Sequence, residues 1–407
     1  VFLQPSSRGL WGDRNIAPFL LSINIFLMYS YDEIKTVHLE ITERCNAACP
    51  QCGRNINGGE TNQYLKNREL YLTDIKKIFP EKFLQQLTHI YMCGNYGDPI
   101  VAQDTLEAFT YFRETNPNIL LSMNTNGSAR NIDWWKNLAK VLNHKGHVIF
   151  SIDGLQDTNH LYRRNTNFDK IIENVKAFIG AGGQAHWEYI VFEHNEHQVE
   201  EAQSLSQQLG FVKFQIKKTA RFSSPLTGVV KQGSIIKDRK GNTISINIPK
   251  NPKYKNEGLE VIQENLATTG ITTLPTTLEE IKDKLNPELY NSPLVVLYDK
   301  ADIDCKVKKE KNLYVSAEGI IQPCCWVAST MYNWYTMEKR SQIWKLINKF
   351  GLNNLSALER SIEDIFKTGY FNLIEESWDK TSCSAGKLKV CAKTCGKDLE
   401  TFSKQYA

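Results

Sequence analysis

Cys45, Cys49 and Cys52 lie within "ITERCNAACPQCGR" (residues 41 to 54), directly after a β-branched run that reads as a strand. Thiolates bind borderline and soft metals and iron–sulfur clusters, and a complete site normally takes four protein ligands. A CxxxCxxC loop free of glycine brings three sulfurs to one centre and stops there. Three thiolates on a cubane cluster leave one iron without a protein ligand, open to a substrate or cofactor. A three-cysteine zinc site completed by His38 is the competing reading.

The other cysteines sharpen the picture. Cys93 stands apart, none occurs from Gly94 to Asp304, and six crowd the C-terminal part: Cys305, Cys324, Cys325, Cys383, Cys391 and Cys395. In a 407-residue chain such clusters read as metal or catalytic sites rather than as a disulfide framework.

The elements that must carry these residues show in the periodicity. Six short strand candidates, 36–41, 89–93, 120–124, 148–152, 186–192 and 212–217, alternate with amphipathic segments. In "NFDKIIENVKAFIGAGG", Ile171, Ile172, Val175, Phe178 and Ile179 make one apolar face before Gly180, Gly182 and Gly183 end the helix. Repeated βα units predict an α/β fold, a partial (β/α)6 TIM-like barrel, with its site at the carboxyl ends of the strands. A small cysteine-rich α+β domain is expected to follow. The expected divisions are an extension over 1–35, the barrel over 36–220, a bridging segment over 221–300 and the cysteine-rich domain over 301–407. Met28 opens a stretch running straight into the first motif, so residues 1–27 read as a loosely attached extension ahead of a natural start. A hairpin is predicted in "SIIKDRKGNTISI", around Gly241 and Asn242.

CxxxCxxC after the first strand of such a chain resembles the radical S-adenosylmethionine (SAM) superfamily, and companion motifs occur at the expected strand ends. "CGNYGDP" (residues 93–99) resembles the family's glycine-rich loop, with Asp98 in place of the usual glutamate. "NTNG" follows the third strand, and "SIDGLQDTNHLYRR" follows the fourth. The resemblance implies a [4Fe–4S] cluster on Cys45, Cys49 and Cys52, with SAM on the open iron. It places Gly94, Asn95, Tyr96, Gly97 and Asp98 near the SAM amino group, and Asn124, Asn126, Ser151 and Asp153 as further polar contacts. Arg163 is assigned to the SAM carboxylate, since a guanidinium suits bidentate recognition. Where family members carry an aromatic residue against the adenine, this chain has Gln51.

The C-terminal cysteines resemble the auxiliary-cluster domains called SPASM and Twitch. With six cysteines, and Gly386 where another often stands, the shorter Twitch form and a single auxiliary [4Fe–4S] cluster are expected. The ligands chosen are Cys305, Cys324, Cys391 and Cys395, with Cys383 as replacement for one of the last two. A structural four-cysteine zinc site is the alternative. Cys305 precedes a predicted hairpin turning at Ala317, Glu318 and Gly319, and Cys324 ends it.

The resemblance implies an enzyme that cleaves SAM reductively and abstracts hydrogen from a substrate, expected to be a peptide or protein side chain. Small-molecule dehydrogenation is the second reading, and a non-enzymatic electron carrier is the alternative of a different class. The catalytic acid or base is not identifiable, although Tyr96, Glu188 and Tyr189 are placed toward the pocket. A flavodoxin- or ferredoxin-like electron donor is implied, with a cytoplasmic location from the need for reduced thiols. A net charge of +4 implies no obligate nucleic-acid partner. The apolar run at 16–31 holds Pro18, Ser22 and Asn24 and is shorter than the roughly 20 residues of a membrane span.

Overall fold

The computed structural model describes residues 28–56, 58–222, 230–237, 242–260, 294–333 and 341–397. Six parallel strands, β1 (Thr36–Leu39), β2 (His89–Met92), β3 (Leu120–Thr125), β4 (Gly146–Ser151), β5 (Gln184–Ile190) and β6 (Lys213–Lys217), lie side by side in chain order. Each pairs in parallel with the next, and helical crossovers return the chain each time. This is the α/β architecture that the alternating pattern predicts.

Strand alternation divides the sheet into two faces. On one, Val37, Leu39, Ile90, Met92, Val148, Phe150, Trp187 and Tyr189 are fully buried. They pack under helices whose own apolar stripes are legible: Ile171, Val175 and Phe178 on Phe168–Gly180, and Trp135 and Leu138 on Ile132–Leu142. Asn131 and Asn167 start these helices by accepting from Trp134 N and Lys170 N, which satisfies donors that the first turn leaves free. Trp135, Phe150 and Phe178 meet ring to ring between sheet and helices. The opposite face is polar. It carries His38 stacked on Tyr91, His89 bonded to Ser122, and His147 stacked on His186.

The C-terminal cysteine region is joined to this sheet. Strand β9 (Asn312–Val315) pairs in parallel with β1, and β10 (Ile321–Gln322) pairs antiparallel with β9, giving eight strands in the order β10-β9-β1-β2-β3-β4-β5-β6. The predicted turn is present, with Gly319 at φ +74°, where an L side chain would be strained. The expected bridging segment contains a separate antiparallel pair, β7 (Gly233–Lys237) with β8 (Thr243–Asn247). Its tip, including Gly241, lies outside the described residues, as do residues 1–27. Met28 is buried. No helix among the described residues is long and apolar enough to cross a membrane.

Candidate functional site

Because the strands are in register, Leu39, Met92, Thr125, Ser151, Ile190 and Lys217 end near one rim, and the loops that follow them converge there. The three-cysteine loop leaves β1 at this rim. Cys49 is buried, and Cys45 and Cys52 pack against the same apolar cluster, formed with Ala47, Tyr162, Ile190, Phe192 and Phe222. Ala47 N donates to Cys45 Sγ at 3.3 Å. Asn126 Nδ2 and Arg163 Nη1 point at Cys45 Sγ and Cys49 Sγ, each at 3.9 Å. Burial pushes the Cys49 thiol up to about 11, while the Arg163 charge works the other way.

The glycine loop after β2 lies directly against the cysteine loop. Asp98 N donates to Arg44 O at 2.9 Å, and a Cβ on Gly97 would overlap the Thr42 carbonyl oxygen. Only glycine permits that approach. From below, buried Glu40 braces the loop: Oε1 accepts from Tyr96 N at 2.7 Å and Gly97 N at 3.1 Å, and Oε2 accepts from the Tyr314 hydroxyl of β9. Burial pushes the Glu40 carboxyl up to about 7, against the pull of those three donors. From the side, Asn95 Nδ2 donates to Cys325 O at 2.9 Å and the Tyr96 hydroxyl to Ser329 O at 2.9 Å.

Two acidic residues named from the sequence turn out to position others. Asp98 Oδ2 accepts from both Asn126 N and Asn126 Nδ2 at 2.7 Å, which aims that amide at Asn46 and Cys45. Asp153, fully buried, accepts from Arg163 Nε at 2.6 Å through Oδ2 and from Ile190 N at 2.6 Å through Oδ1. Burial works against the Arg163 charge, but Asp153, Cys49 and Tyr162 more than offset it, so Arg163 stays a cation beside the thiols. Asn124 and Ser151 sit half-buried at their strand ends. Gln51 Nε2 donates to Arg221 O at 3.2 Å. His38 does not join the cysteines; its Nε2 donates to Cys93 O. Tyr189 faces the helices, its hydroxyl donating to Asn195 O at 2.9 Å, whereas Glu188 on the polar face pairs with Lys217 at 3.1 Å.

Among the described residues no group of three or more His, Cys, Asp or Glu side chains is placed to hold a single metal ion. A four-iron cluster holds its thiolates farther apart than one ion does. Three thiols with a guanidinium and two N–H donors aimed at their sulfurs suit an anionic cluster. Buried acceptors and donors without partners also remain beside the third cysteine: Gln51 Oε1 and both amide atoms of Asn55.

Residues 39–205 match the model of the Radical SAM superfamily. The chain carries a radical SAM domain. A curated relative, the FeMo cofactor biosynthesis protein NifB of Methanocaldococcus jannaschii, is 28% identical over 113 residues, which is 27% of this chain and 37% of that protein. Among solved structures, Streptococcus suis SuiB superposes with a TM-score of 0.50 at 16% identity, over 89% of this chain and 73% of SuiB. The anSMEcpe structure with bound AdoMet and Cp18Cys peptide gives 0.49 at 13% identity, over 91% of each chain. The SuiB likeness shows the shared α/β fold. The family implies a [4Fe–4S] cluster and SAM.

Beyond the radical SAM domain, Cys305, Cys324, Cys391 and Cys395 line one cavity, together with Met28, Ile303, Val307, Trp326, Val327 and Ile374. Apart from the Thr394 hydroxyl and the indoles of Trp326 and Trp378, sulfur is the only ligand chemistry its side chains offer. Cys383 is not in its wall. It is buried beside Tyr298 and Ala392, with its N–H donating to Asp299 at 2.6 Å. Cys325 is also outside the wall and presents its carbonyl to Asn95. The sequence reading missed Glu40, Tyr314 and Arg221. Glu40 had a signal: a carboxylate two positions after His38 in an otherwise apolar strand, hence on the polar face.

Proposed function

We propose that this chain is a radical SAM enzyme acting on a peptide or protein side chain, with an auxiliary iron–sulfur cluster near the substrate. Cys45, Cys49 and Cys52 hold the SAM-site cluster, and Cys305, Cys324, Cys391 and Cys395 hold the auxiliary one. With SAM bound, a [4Fe–4S] cluster held there would supply one-electron reductive cleavage of SAM and, through it, hydrogen abstraction from an unactivated carbon.

The protein's own work is to bind, orient and exclude water. Arg163, held by Asp153, meets the SAM carboxylate. The main chain of Gly94 to Asp98, braced by Glu40, faces its amino group. Asn126, aimed by Asp98, lies beside Cys45. The single observation that carries this reading is the meeting of three loops: the cysteine loop receives Asp98 N on Arg44 O and Arg163 Nη1 on Cys49 Sγ.

For the substrate, SuiB has also been solved with its precursor peptide SuiA bound. In this chain Lys217 and Glu188, on the polar face at the ends of β6 and β5, supply both signs of charge to a polar chain. A flavodoxin- or ferredoxin-like donor would deliver the electron. The test is anaerobic: reconstituted protein should contain about eight irons in two four-iron clusters and release 5′-deoxyadenosine from SAM under dithionite. Candidate peptides deuterated at side-chain positions should pass deuterium into that product. Iron binding without SAM cleavage would leave an electron carrier and end the enzyme reading.

A further inference from the structure

Of the four sulfurs that line the C-terminal cavity, three meet main-chain donors. Val327 N donates to Cys324 Sγ at 3.5 Å, and the N–H groups of Lys308 and Lys306 face Cys305 and Cys395, whose thiols bond to each other. The fourth sulfur meets a side chain. Burial pushes the Cys391 thiol far above its ordinary value and the neighbouring Cys324 adds to that, while the Trp378 indole N–H works the other way.

The indole stands out in a second respect: its Nε1 is buried and closes a hydrogen bond on no acceptor among the described residues. An indole N–H can only donate, and native structures rarely leave a buried donor open without a use such as a redox role or an ion. Its direction is fixed by the chain around it. Trp378 sits on the short turn Ser377–Asp379, directly after the helix Tyr370–Glu376. The Ser377 hydroxyl ties that turn down by donating to Ile374 O at 2.6 Å. The Tyr370 hydroxyl ties the helix to β10 by donating to Gln322 Oε1 at 2.8 Å, two residues before Cys324. Ile374 and Trp378 then line the same cavity as the four cysteines. The donor and the Cys324 ligand are thus set by one piece of framework.

We propose that Trp378 Nε1 donates to the Cys391 thiolate of the auxiliary cluster and raises that cluster's reduction potential. The inference rests on the reading that these four cysteines hold an iron–sulfur cluster, and it adds a residue that tunes it. One-electron reduction adds negative charge to the cluster and its thiolates. A fixed N–H donor favours the more negative form, and the apolar wall, with little water to screen it, strengthens the effect. Because the indole is already held in place, no ordering of the side chain offsets the gain.

The potential is read by anaerobic EPR-monitored redox titration of the full, cluster-loaded chain. SAM tells the two clusters apart, since it shifts the signal of the cluster it binds and leaves the auxiliary signal alone. Trp378→Phe keeps an aromatic ring but lacks the N–H. In this variant the ratio of reduced to oxidised auxiliary cluster at a fixed potential is expected to fall about tenfold, equal to about 59 mV for a one-electron couple. The SAM-responsive signal should not move. Protein grown with indole-¹⁵N tryptophan should show a ¹⁵N coupling on the auxiliary signal that Trp326→Phe retains and Trp378→Phe loses. A ratio within about twofold of wild type overturns the inference. If Trp378→Phe does not load its clusters, labelled Trp326→Phe decides: a coupling there supports the inference and its absence overturns it. About four irons with one zinc in wild-type protein would instead overturn the auxiliary-cluster reading beneath it.

Discussion

Asp153→Asn isolates the buried ion pair that aims Arg163. Asp153 is fully buried and the Arg163 side chain is 17% exposed, so water does little to screen either charge. The asparagine can keep its Oδ1 on Ile190 N, but its NH2 would then face Arg163 Nε, donor against donor. Removing one partner of a buried pair costs about 3–5 kcal/mol, because the remaining charge is left uncompensated. Asp153→Ala also strips Ile190 N of its acceptor, which adds about 1–3 kcal/mol. Replacing both charges, as in Asp153→Leu with Arg163→Met, should be less damaging to stability than Asp153→Asn alone. Stability is read by anaerobic urea unfolding and SAM affinity by calorimetry. All these variants should bind SAM at least tenfold more weakly, since a charge-assisted bond is worth about 1.5–3 kcal/mol. A loss under about 1 kcal/mol in Asp153→Asn, or a double variant no better than the single, would refute the reasoning.

Cys305→Ser and Cys391→Ser should each lower the iron content of reconstituted protein from about eight toward about four, whereas Cys383→Ser should leave it unchanged; equal loss in all three would move Cys383 into the ligand set. Gly97→Ala should weaken SAM binding by tenfold or more while retaining the three-cysteine cluster, because the new Cβ collides with the Thr42 carbonyl and pushes the loop away; unchanged affinity would show that the loop does not touch SAM. Glu40 and His38 give opposing pH dependences. The folded-state carboxyl of Glu40 is raised to about 7, so the stability it contributes is complete below its unfolded value and is lost as pH rises toward 7. Burial lowers His38 to about 4, so its contribution is present above the ordinary imidazole value and is lost as pH falls toward 4. Each is worth on the order of 3 kcal/mol, and between pH 4.5 and 6.5 they largely cancel. Glu40→Gln should therefore show stability rising with pH across that window in urea unfolding, and a slope equal to wild type would count against it.

Much of this molecule was written in local pattern. All six barrel strands begin and end within two residues of their sequence expectation, because β-branched alternation and the helix stripe around Ile171 are short-range signals. The four-cysteine wall was legible in part, through the hairpin that carries Cys305 and Cys324. What the pattern did not contain were long-range choices. Nothing near Asn312 announces that its strand will pair with Thr36, so the cysteine-rich region read as separate from the barrel. Asp98 and Asp153 carried the right motifs, but only the folded chain shows their oxygens committed to Asn126 and Arg163. The partners of Glu40 come from the loop after β2 and from β9, and no spacing rule connects three such stretches.

The pairing of β1 with β9 also sets an order of assembly. Thr36 and Asn312 lie far apart in sequence, and at roughly 5–20 residues per second a ribosome needs about 14 to 55 seconds to pass from one to the other. During that interval β1 has an unclaimed edge, Glu40 lacks the Tyr314 hydroxyl, and the loop from Gly94 to Asp98 lacks its lateral bonds to Cys325 and Ser329. The nascent chain thus presents three cysteines long before their neighbouring loop is fully braced. Emergence of Ser329 from the ribosome, rather than of the first cysteines, is the earliest moment at which that side of the cluster pocket can be complete.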